Sequence, residues 1–468
     1  MRRGWLAALA IAICLTACLP APSYQTNALP PKAGSQSAAG TPPVGFTPLP
    51  TATIGPPAGA NQLIPRTFPP PFSYGPRYDP PTPIPPPTTP QYFPPDAINV
   101  LLLGSDRRSG RSFRTDTIIV VSLQPSAHAA AMISIPRDLY VYLPGFNMQR
   151  VNAALTLGEE FGYPGGGRAM LADTLLYNLG IPIHYYAQVE MSGFQAIVDQ
   201  VDGVDVNVAC SYTDWRLEHP SLNPEVEDNW ELFTVPSGVV HMDGDYALWY
   251  ARSRARSSDF DRARRQQEVL RALHRQALRL DLIPQIPSLY NELIQSISTD
   301  LSLADLVRLA PLAVRIDPSR VRSRFIGRDQ VTSWRTPTGG AVLLPKPEAI
   351  AHLLQETLDF ESADPLVPEP SLLVEVVNGS SRDDLATLAA ERLTYAGFET
   401  RLLRTGAAGS LTRVIDYGLA DPSQRTNLLS ALGLPASAVE NGTSDGQAAF
   451  RLIVGDNFDP CFDPTRNQ

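Results

Sequence analysis

Apolar residues come in three short, nearly unbroken runs at the start of the patterned part of the chain: INVLLLG (98–104), TIIVVSL (117–123) and AAMISI (130–135). Runs of this length without alternation predict strands buried on both faces. Helical spacing follows at about 151–161 and at 167–179, the latter after the turn PGGG. HYYAQVE (184–190) predicts a strand and SGFQAIVDQV (192–201) a short helix; a glycine turn then leads to the strand VDVNV (204–208). After DGDYALWYAR (243–252), a helix is predicted from about Asp261 to Leu280, with Val269, Leu270, Leu273, Ala277 and Leu280 on one face. Helices near 285–297, 303–315 and 347–359 and a strand at 320–326 complete the unit. Strands and helices alternate, which predicts an α/β core.

The pattern breaks at ESADPLVPEPS (361–371) and resumes in a smaller unit. LLVEVVNGS (372–380) reads as a strand and turn, and DDLATLAAERLTYAG (383–397) as an amphipathic helix stopped by Gly397. Strands at 398–405 and 412–418, a helix at 423–434 and a last strand at 448–455 follow. The predicted organisation is a core at 96–360, a linker at 361–370, a small α/β domain at 371–456 and a tail at 457–468. No pocket chemistry is legible in the small domain.

Composition changes the picture at the N-terminus. MRRGWLAALAIAICLTACLP carries Arg2 and Arg3, then an apolar run from Trp5 to Leu15. That run is short of the roughly twenty residues needed to span a bilayer and fits the core of a signal peptide. Leu15-Thr16-Ala17-Cys18 resembles a bacterial lipobox, in which the cysteine is lipidated and becomes the first residue of the mature chain. Residues 1–18 are therefore expected to be a lipoprotein signal peptide, with Cys18 as the membrane anchor of an extracytoplasmic protein. Residues 19–95 hold 24 of the chain's 46 prolines and four charged side chains, Lys32, Arg66, Arg77 and Asp79. Such a segment is expected to be a disordered, semi-rigid spacer reaching roughly 100 Å or more when extended. Beyond the signal only Cys210 and Cys461 remain. The compartment permits a bridge, but the two are far apart in sequence and in different predicted domains, which argues against one and leaves pairing open. No Cys/His cluster suggests zinc.

The formal net charge is −9 over 468 residues, which argues against a general nucleic-acid binder. Within that acidic chain, YARSRARSSDFDRARRQQ (250–267) packs six arginines and two aspartates into eighteen residues. Asp106 follows the first strand and Asp116 precedes the second. If those strands are neighbours, both carboxylates sit at one sheet edge, a hard-oxygen site for Mg²⁺. Arg114 lies two residues before Asp116, and Arg137 closes the third strand. Arginines from several strand ends could converge with Arg252, Arg254 and the Arg262–Gln266 segment at a helix start. Helix N-termini and guanidinium forks bind phosphate. The alternative is ordinary: the chain has 36 arginines and two lysines, so arginine is its default cation. Arg256 and Arg264, and Arg271, Arg275 and Arg279 at four-residue spacing, read as solvated surface.

The run LLLGSDRR…RTDTIIVVSL, then ISIPRDLYVYLPG…RVNAAL, VDQVDGVDVNV and MDGDYALWYARSR…DFDRARRQQEVL resembles the LytR-CpsA-Psr family, in the same order and over about residues 96–285. The tail resembles the LytR C-terminal domain, through VEVVNGS and RLIVGDNFDP. The resemblance implies a core with a central mixed sheet flanked by helices. It implies an enzyme that transfers a glycopolymer from a polyprenyl-pyrophosphate carrier to peptidoglycan or another cell-wall acceptor. Asp106 and Asp116 would hold Mg²⁺; Arg114, Arg137, Arg252, Arg254, Arg262 and Gln266 would bind the pyrophosphate. Arg137 and Arg252 would take part in catalysis with Asp259, the candidate for activating the acceptor hydroxyl. Asp261 beside it leaves open which aspartate acts, and Arg150 matches a family arginine that is structural or lines the pocket. The apolar and aromatic stretch 177–198 supplies material for a polyprenyl groove, although most of it also suits a core. A pyrophosphate hydrolase and a non-enzymatic envelope-binding or regulatory protein share the same residues. Acceptor-dependent turnover separates transferase from hydrolase, and binding without turnover would favour the non-enzymatic protein.

Overall fold

In the computed structural model, residues 67–107 (apart from 78, 79, 81 and 92), 113–279, 297–316, 320–360, 373–403, 409–443 and 448–461 are described. The signal peptide with Cys18, most of the proline-rich segment, the predicted 285–297 helix up to residue 296 and the 361–370 linker lie outside the described residues.

The core is built on a six-stranded mixed sheet of β1 (Ile98–Arg107), β2 (Phe113–Gln124), β3 (Ala129–Ser134), β4 (Tyr185–Glu190), β5 (Ile297–Thr299) and β6 (Val321–Phe325), in the spatial order β5-β4-β1-β2-β3-β6. β1, β2 and β3 form an antiparallel meander, while β4 runs parallel to β1 and β6 parallel to β3. The unbroken apolar runs are explained by burial on both faces. Ile98, Val100, Ile119 and Val121 pack with helices Met191–Gln200, Gly244–Arg252, Asp259–Arg279 and Leu303–Arg315. Leu101, Leu103, Ile118 and Val120 face the opposite way, against helices Gly166–Leu179 and Pro347–Leu358.

The smaller unit has its own five-stranded sheet, in the order Glu399–Leu402, Leu373–Asn378, Phe450–Val454, Arg413–Asp416, Val439–Asn441. Its helices Leu385–Tyr395 and Pro422–Leu432 contribute to a separate core around Val376, Leu393, Leu428 and Phe450.

One expectation is corrected, one left open is answered and one is qualified. The spacer predicted to run to residue 95 is a strap from residue 67 onward. Phe72 and Tyr74 donate main-chain bonds to Phe146 and Gly145 at 3.0 and 2.8 Å, Thr88 to Tyr177 at 2.7 Å, and Gln91 to Gly180 at 2.9 Å. A proline-rich segment has few N–H groups to satisfy and can lie extended on a surface; Phe68, stacked edge-on with Tyr177 at 5.0 Å, helps to fix it. Cys210 and Cys461 form a disulfide, because the chain beyond the last strand returns to the core. Finally, part of the solvated arginine face is occupied: Arg275 bonds Glu391 of the small unit at 2.8 Å, and Arg279 pairs with Asp205 at 3.4 Å.

Candidate active site

β1 and β2 are antiparallel neighbours whose register slips once, between Gly104 and Ser105. Gly104 pairs with Thr117 and Ser105 with Thr115, so Asp116 is the extra residue of a β-bulge, a device that re-aims a side chain at a sheet end. Asp106 and Arg114 are cross-strand partners one ladder step further on; their side chains lie outside the described residues.

Arg137, just beyond β3, donates to the Asp116 carboxylate, and its Nε lies 3.5 Å from Asp138 and 3.7 Å from Asp259. Arg262, on the first turn of helix Asp259–Arg279, donates to one Asp259 oxygen at 2.9 Å and to the Asp116 main-chain carbonyl at 3.3 Å. Arg254 reaches the other Asp259 oxygen at 3.4 Å. Carboxylates and guanidinium groups from two strand ends and a helix start therefore alternate in one network. Burial draws the Arg137 guanidinium down, but its bond with Asp116 and the charges of Asp259 and Asp138 outweigh this and hold it above its ordinary value. Arg262 is 6% exposed, and there burial prevails over the pull of Asp259 and holds the group below its ordinary value.

Beside this network opens a cavity of about 270 Å³ on one face of the sheet. Its body is apolar, lined by Ile119, Val189, Phe194, Val269 and Leu273 among others, whereas Asp116, Arg252, Arg254, Arg262 and Gln266 line its polar part. Arg252 ends helix Gly244–Arg252, and the Gln266 amide is tied to the Ala251 carbonyl at 3.3 Å. The predicted apolar stretch 177–198 divides. Val189, Met191, Phe194 and Ile197 line the cavity, while Tyr177 packs in a separate cluster with Tyr142.

The two aspartates differ in their partners. Asp261 closes a capping box: its N–H donates to Ser258 Oγ at 3.1 Å, and its carboxylate accepts from the Ser258 N–H at 3.1 Å and hydroxyl at 2.8 Å. Asp259 instead faces Arg137, Arg254 and Arg262. We expect Asp261→Asn to cost about 1 kcal/mol of stability, as a weakened cap does, and to leave activity within a few-fold of wild type. Asp259→Asn should lose activity by about 10²-fold or more. Thermal melts and turnover on the two variants check this, and equal activity losses would refute the division of roles.

Residues 88–338 match the LytR_cpsA_psr family, and residues 371–458 match the domain described as LytR cell envelope-related transcriptional attenuator. This chain belongs to the LytR-CpsA-Psr family. It is 33% identical over 216 residues to polyisoprenyl-teichoic acid–peptidoglycan teichoic acid transferase TagU of Oceanobacillus iheyensis, covering 46% of this chain and 62% of that protein. It is 31% identical over 207 residues to the regulatory protein MsrR of Staphylococcus aureus, covering 44% and 56%. The chain thus spans less than two thirds of either relative's length. Among solved structures, that of B. subtilis TagV aligns with a TM-score of 0.45 at 26% identity, covering 56% of this chain and 97% of that one.

Two further residues of this LytR-CpsA-Psr chain support the site. Arg265 is 1% exposed. It donates to the Tyr250 carbonyl at 2.8 Å, to the Ser253 carbonyl and to Ser257 Oγ at 3.2 Å, and lies over the Tyr212 ring at 3.9 Å. It therefore fastens the segment that presents Arg252, Arg254 and Asp259. Helical register reveals it: Arg265 lies four positions before Val269 and seven before Ala272, on the apolar stripe. Asp138 bridges Arg137 and Arg150, 3.5 and 3.2 Å away. Arg150, which also bonds the Ala341 carbonyl at 2.7 Å, braces the site from one step behind.

Proposed function

We propose that this protein is an extracytoplasmic phosphotransferase that moves a glycopolymer from a polyprenyl-pyrophosphate carrier to peptidoglycan or another cell-wall acceptor. The observation that carries this reading is an apolar cavity with an arginine-lined polar part, which suits a lipid whose polar end is a pyrophosphate. At about 270 Å³ it lies just below the ~300–1,000 Å³ of drug-sized ligand sites, room for the phosphate-proximal isoprene units rather than a whole tail.

In this reading Arg252, Arg254, Arg262 and Gln266, with Arg114 and Arg137, bind the pyrophosphate oxygens and spread the charge of the transition state. An acceptor hydroxyl oxygen bonds to the phosphorus that carries the glycopolymer. The bond from that phosphorus to the bridging oxygen breaks, and polyprenyl phosphate leaves with the electron pair. Asp259 takes the hydroxyl proton and returns it to water. The products are an acceptor–glycopolymer phosphodiester and polyprenyl monophosphate.

Asp106 and Asp116 would hold Mg²⁺, since carboxylates at the ends of adjacent strands are the hard donors it takes alongside water and substrate phosphate. Among the described residues no group of three or more His, Cys, Asp or Glu side chains forms a metal cluster, so substrate and water would complete the shell. When bound, the ion would neutralise charge on the pyrophosphate.

The test is to incubate the purified chain with a polyprenyl-pyrophosphate oligosaccharide, Mg²⁺ and peptidoglycan fragments, and to follow lipid and sugar products. Sugar phosphate joined to the acceptor, lost on adding EDTA, is expected. Free sugar phosphate alone would replace the transferase with a hydrolase, and carrier binding without any product would make the protein a binding module. The lipobox pattern supports attachment through a lipidated Cys18; no helix among the described residues is long and apolar enough to cross a membrane. Cys18→Ser should move the protein from the membrane to the soluble fraction, and unchanged fractionation would refute the anchor.

A further inference from the structure

The charged network has a second opening. Next to the apolar cavity, a small cleft is lined by Pro136, Arg137, Asp259, Phe260, Phe325 and Ile326. Asp116, Thr117, Arg262 and Gln266 line both openings, which meet at these residues. Arg252 and Arg254 line only the cavity, and Arg137 and Asp259 only the cleft.

We propose that this cleft is the acceptor subsite, and that the acceptor is a glycan whose sugar ring stacks on Phe325 and Phe260 while one hydroxyl arm enters beside Asp259. This deepens the transferase reading and rests on it. Three observations support it. An entering oxygen and a leaving oxygen lie roughly in line across phosphorus, so a pyrophosphate held at the shared residues Asp116, Arg262 and Gln266, with its carrier end in the cavity, would leave its other side to the cleft. Asp259, whose carboxylate is not used in the helix cap, lines the cleft and not the cavity. The cleft's size also matches: at about 20 Å³ it exceeds the ~10–15 Å³ that one water-sized group needs. It admits a hydroxyl arm and excludes a sugar ring, which must therefore rest outside.

What lies outside suits a ring. Phe260 and Phe325 are neighbours at 6.5 Å between centroids and 30° between planes, and Phe325 is 37% exposed. Arg328 lies over Phe260 at 5.9 Å, a cation placed to meet an acidic sugar or a peptide carboxylate. The platform is held in place: Gln267, 3% exposed, donates to Ser134 Oγ at 2.8 Å and to the Arg324 carbonyl at 3.0 Å. It thereby ties the helix bearing Asp259 to the two strands beside Phe325.

The test measures binding of a soluble peptidoglycan glycan fragment of alternating N-acetylglucosamine and N-acetylmuramic acid to the full chain by calorimetry, together with the acceptor KM in the transfer assay. Phe325→Ala should weaken fragment binding and raise acceptor KM at least tenfold, with carrier affinity and melting temperature unchanged. Phe325→Tyr, which keeps the ring, should restore both to within about threefold. Wild-type fragment affinity in Phe325→Ala, or no fragment binding by the wild type, would overturn the subsite. Transfer that continues with unchanged acceptor KM would leave the transferase standing and remove only the cleft. Fragment binding that depends on Phe325 without transfer would have the opposite meaning.

Discussion

Arg137→Ala is expected to lower the transfer rate by about 10²–10³-fold, the usual cost of removing one preorganised donor from a charged transition state. The loss should be at the upper end because the guanidinium has two tasks. It bonds Asp116 and lies within 4 Å of Asp138 and Asp259, so without it Asp116 loses this guanidinium, while Asp138 keeps Arg150 and Asp259 keeps Arg254 and Arg262. Arg137→Lys separates the tasks. It keeps a positive charge but loses the planar fork, so it should recover at most about tenfold of the lost rate, with the carrier still bound. Steady-state kcat and carrier affinity on both variants check this. A rate within tenfold of wild type in Arg137→Ala would show that the network is structural.

The residue types of that network could be read from the chain, but their division of labour could not. Strand-end arginines and aspartates are visible as punctuation after apolar runs. What brings Asp116 towards Arg137 is a one-residue slip in the β1–β2 ladder, a pairing property that no local pattern encodes. Asp259 and Asp261 are equivalent by spacing and separate only when Ser258 claims Asp261 for the cap. Arg265 was obscured by its own composition: in a chain whose default cation is arginine, a buried arginine looks like its neighbours until helical register is counted. The sheet was the most legible part, because strands buried on both faces are apolar at nearly every position, with buried polar exceptions such as Asn99 and Ser122. The strap was the least legible. Composition identifies a proline-rich stretch but cannot say that Phe68 and Tyr74 find partners on the core, which depends on the folded surface they meet.

Replacing Cys210 or Cys461 with serine should cost about 2–5 kcal/mol in the stability of the joined structure, as loss of a native bridge that closes a long loop does. The two cysteines are 251 residues apart in sequence, so the bridge restrains a large part of the unfolded chain. The other hydrogen bonds described across the junction are polar and partly exposed. Glu391 bonds Arg275 at 2.8 Å and also Asn207, but the Arg275 side chain is 42% exposed, and exposed pairs contribute at most about 1 kcal/mol. Arg382 reaches the Ser237 carbonyl at 2.9 Å, and Asp384 accepts from the Val239 N–H at 3.3 Å. That second contact is tight: Gly238 has φ +150°, and a Cβ there would lie 2.4 Å from Asp384 Oδ2. Calorimetry should therefore show the small unit melting earlier than the core in Cys210→Ser, where the wild type melts later or as one. Transfer by the variant at 25 °C should stay within about twofold of wild type, because the side chains proposed to bind carrier and acceptor all come from the core, at the far end of the helix that Arg275 shares with Arg262. Unchanged melting would mean that the polar junction suffices. A large loss of transfer would mean that the small unit, pulling on that helix through Arg275, helps to set the position of Asp259 and Arg262.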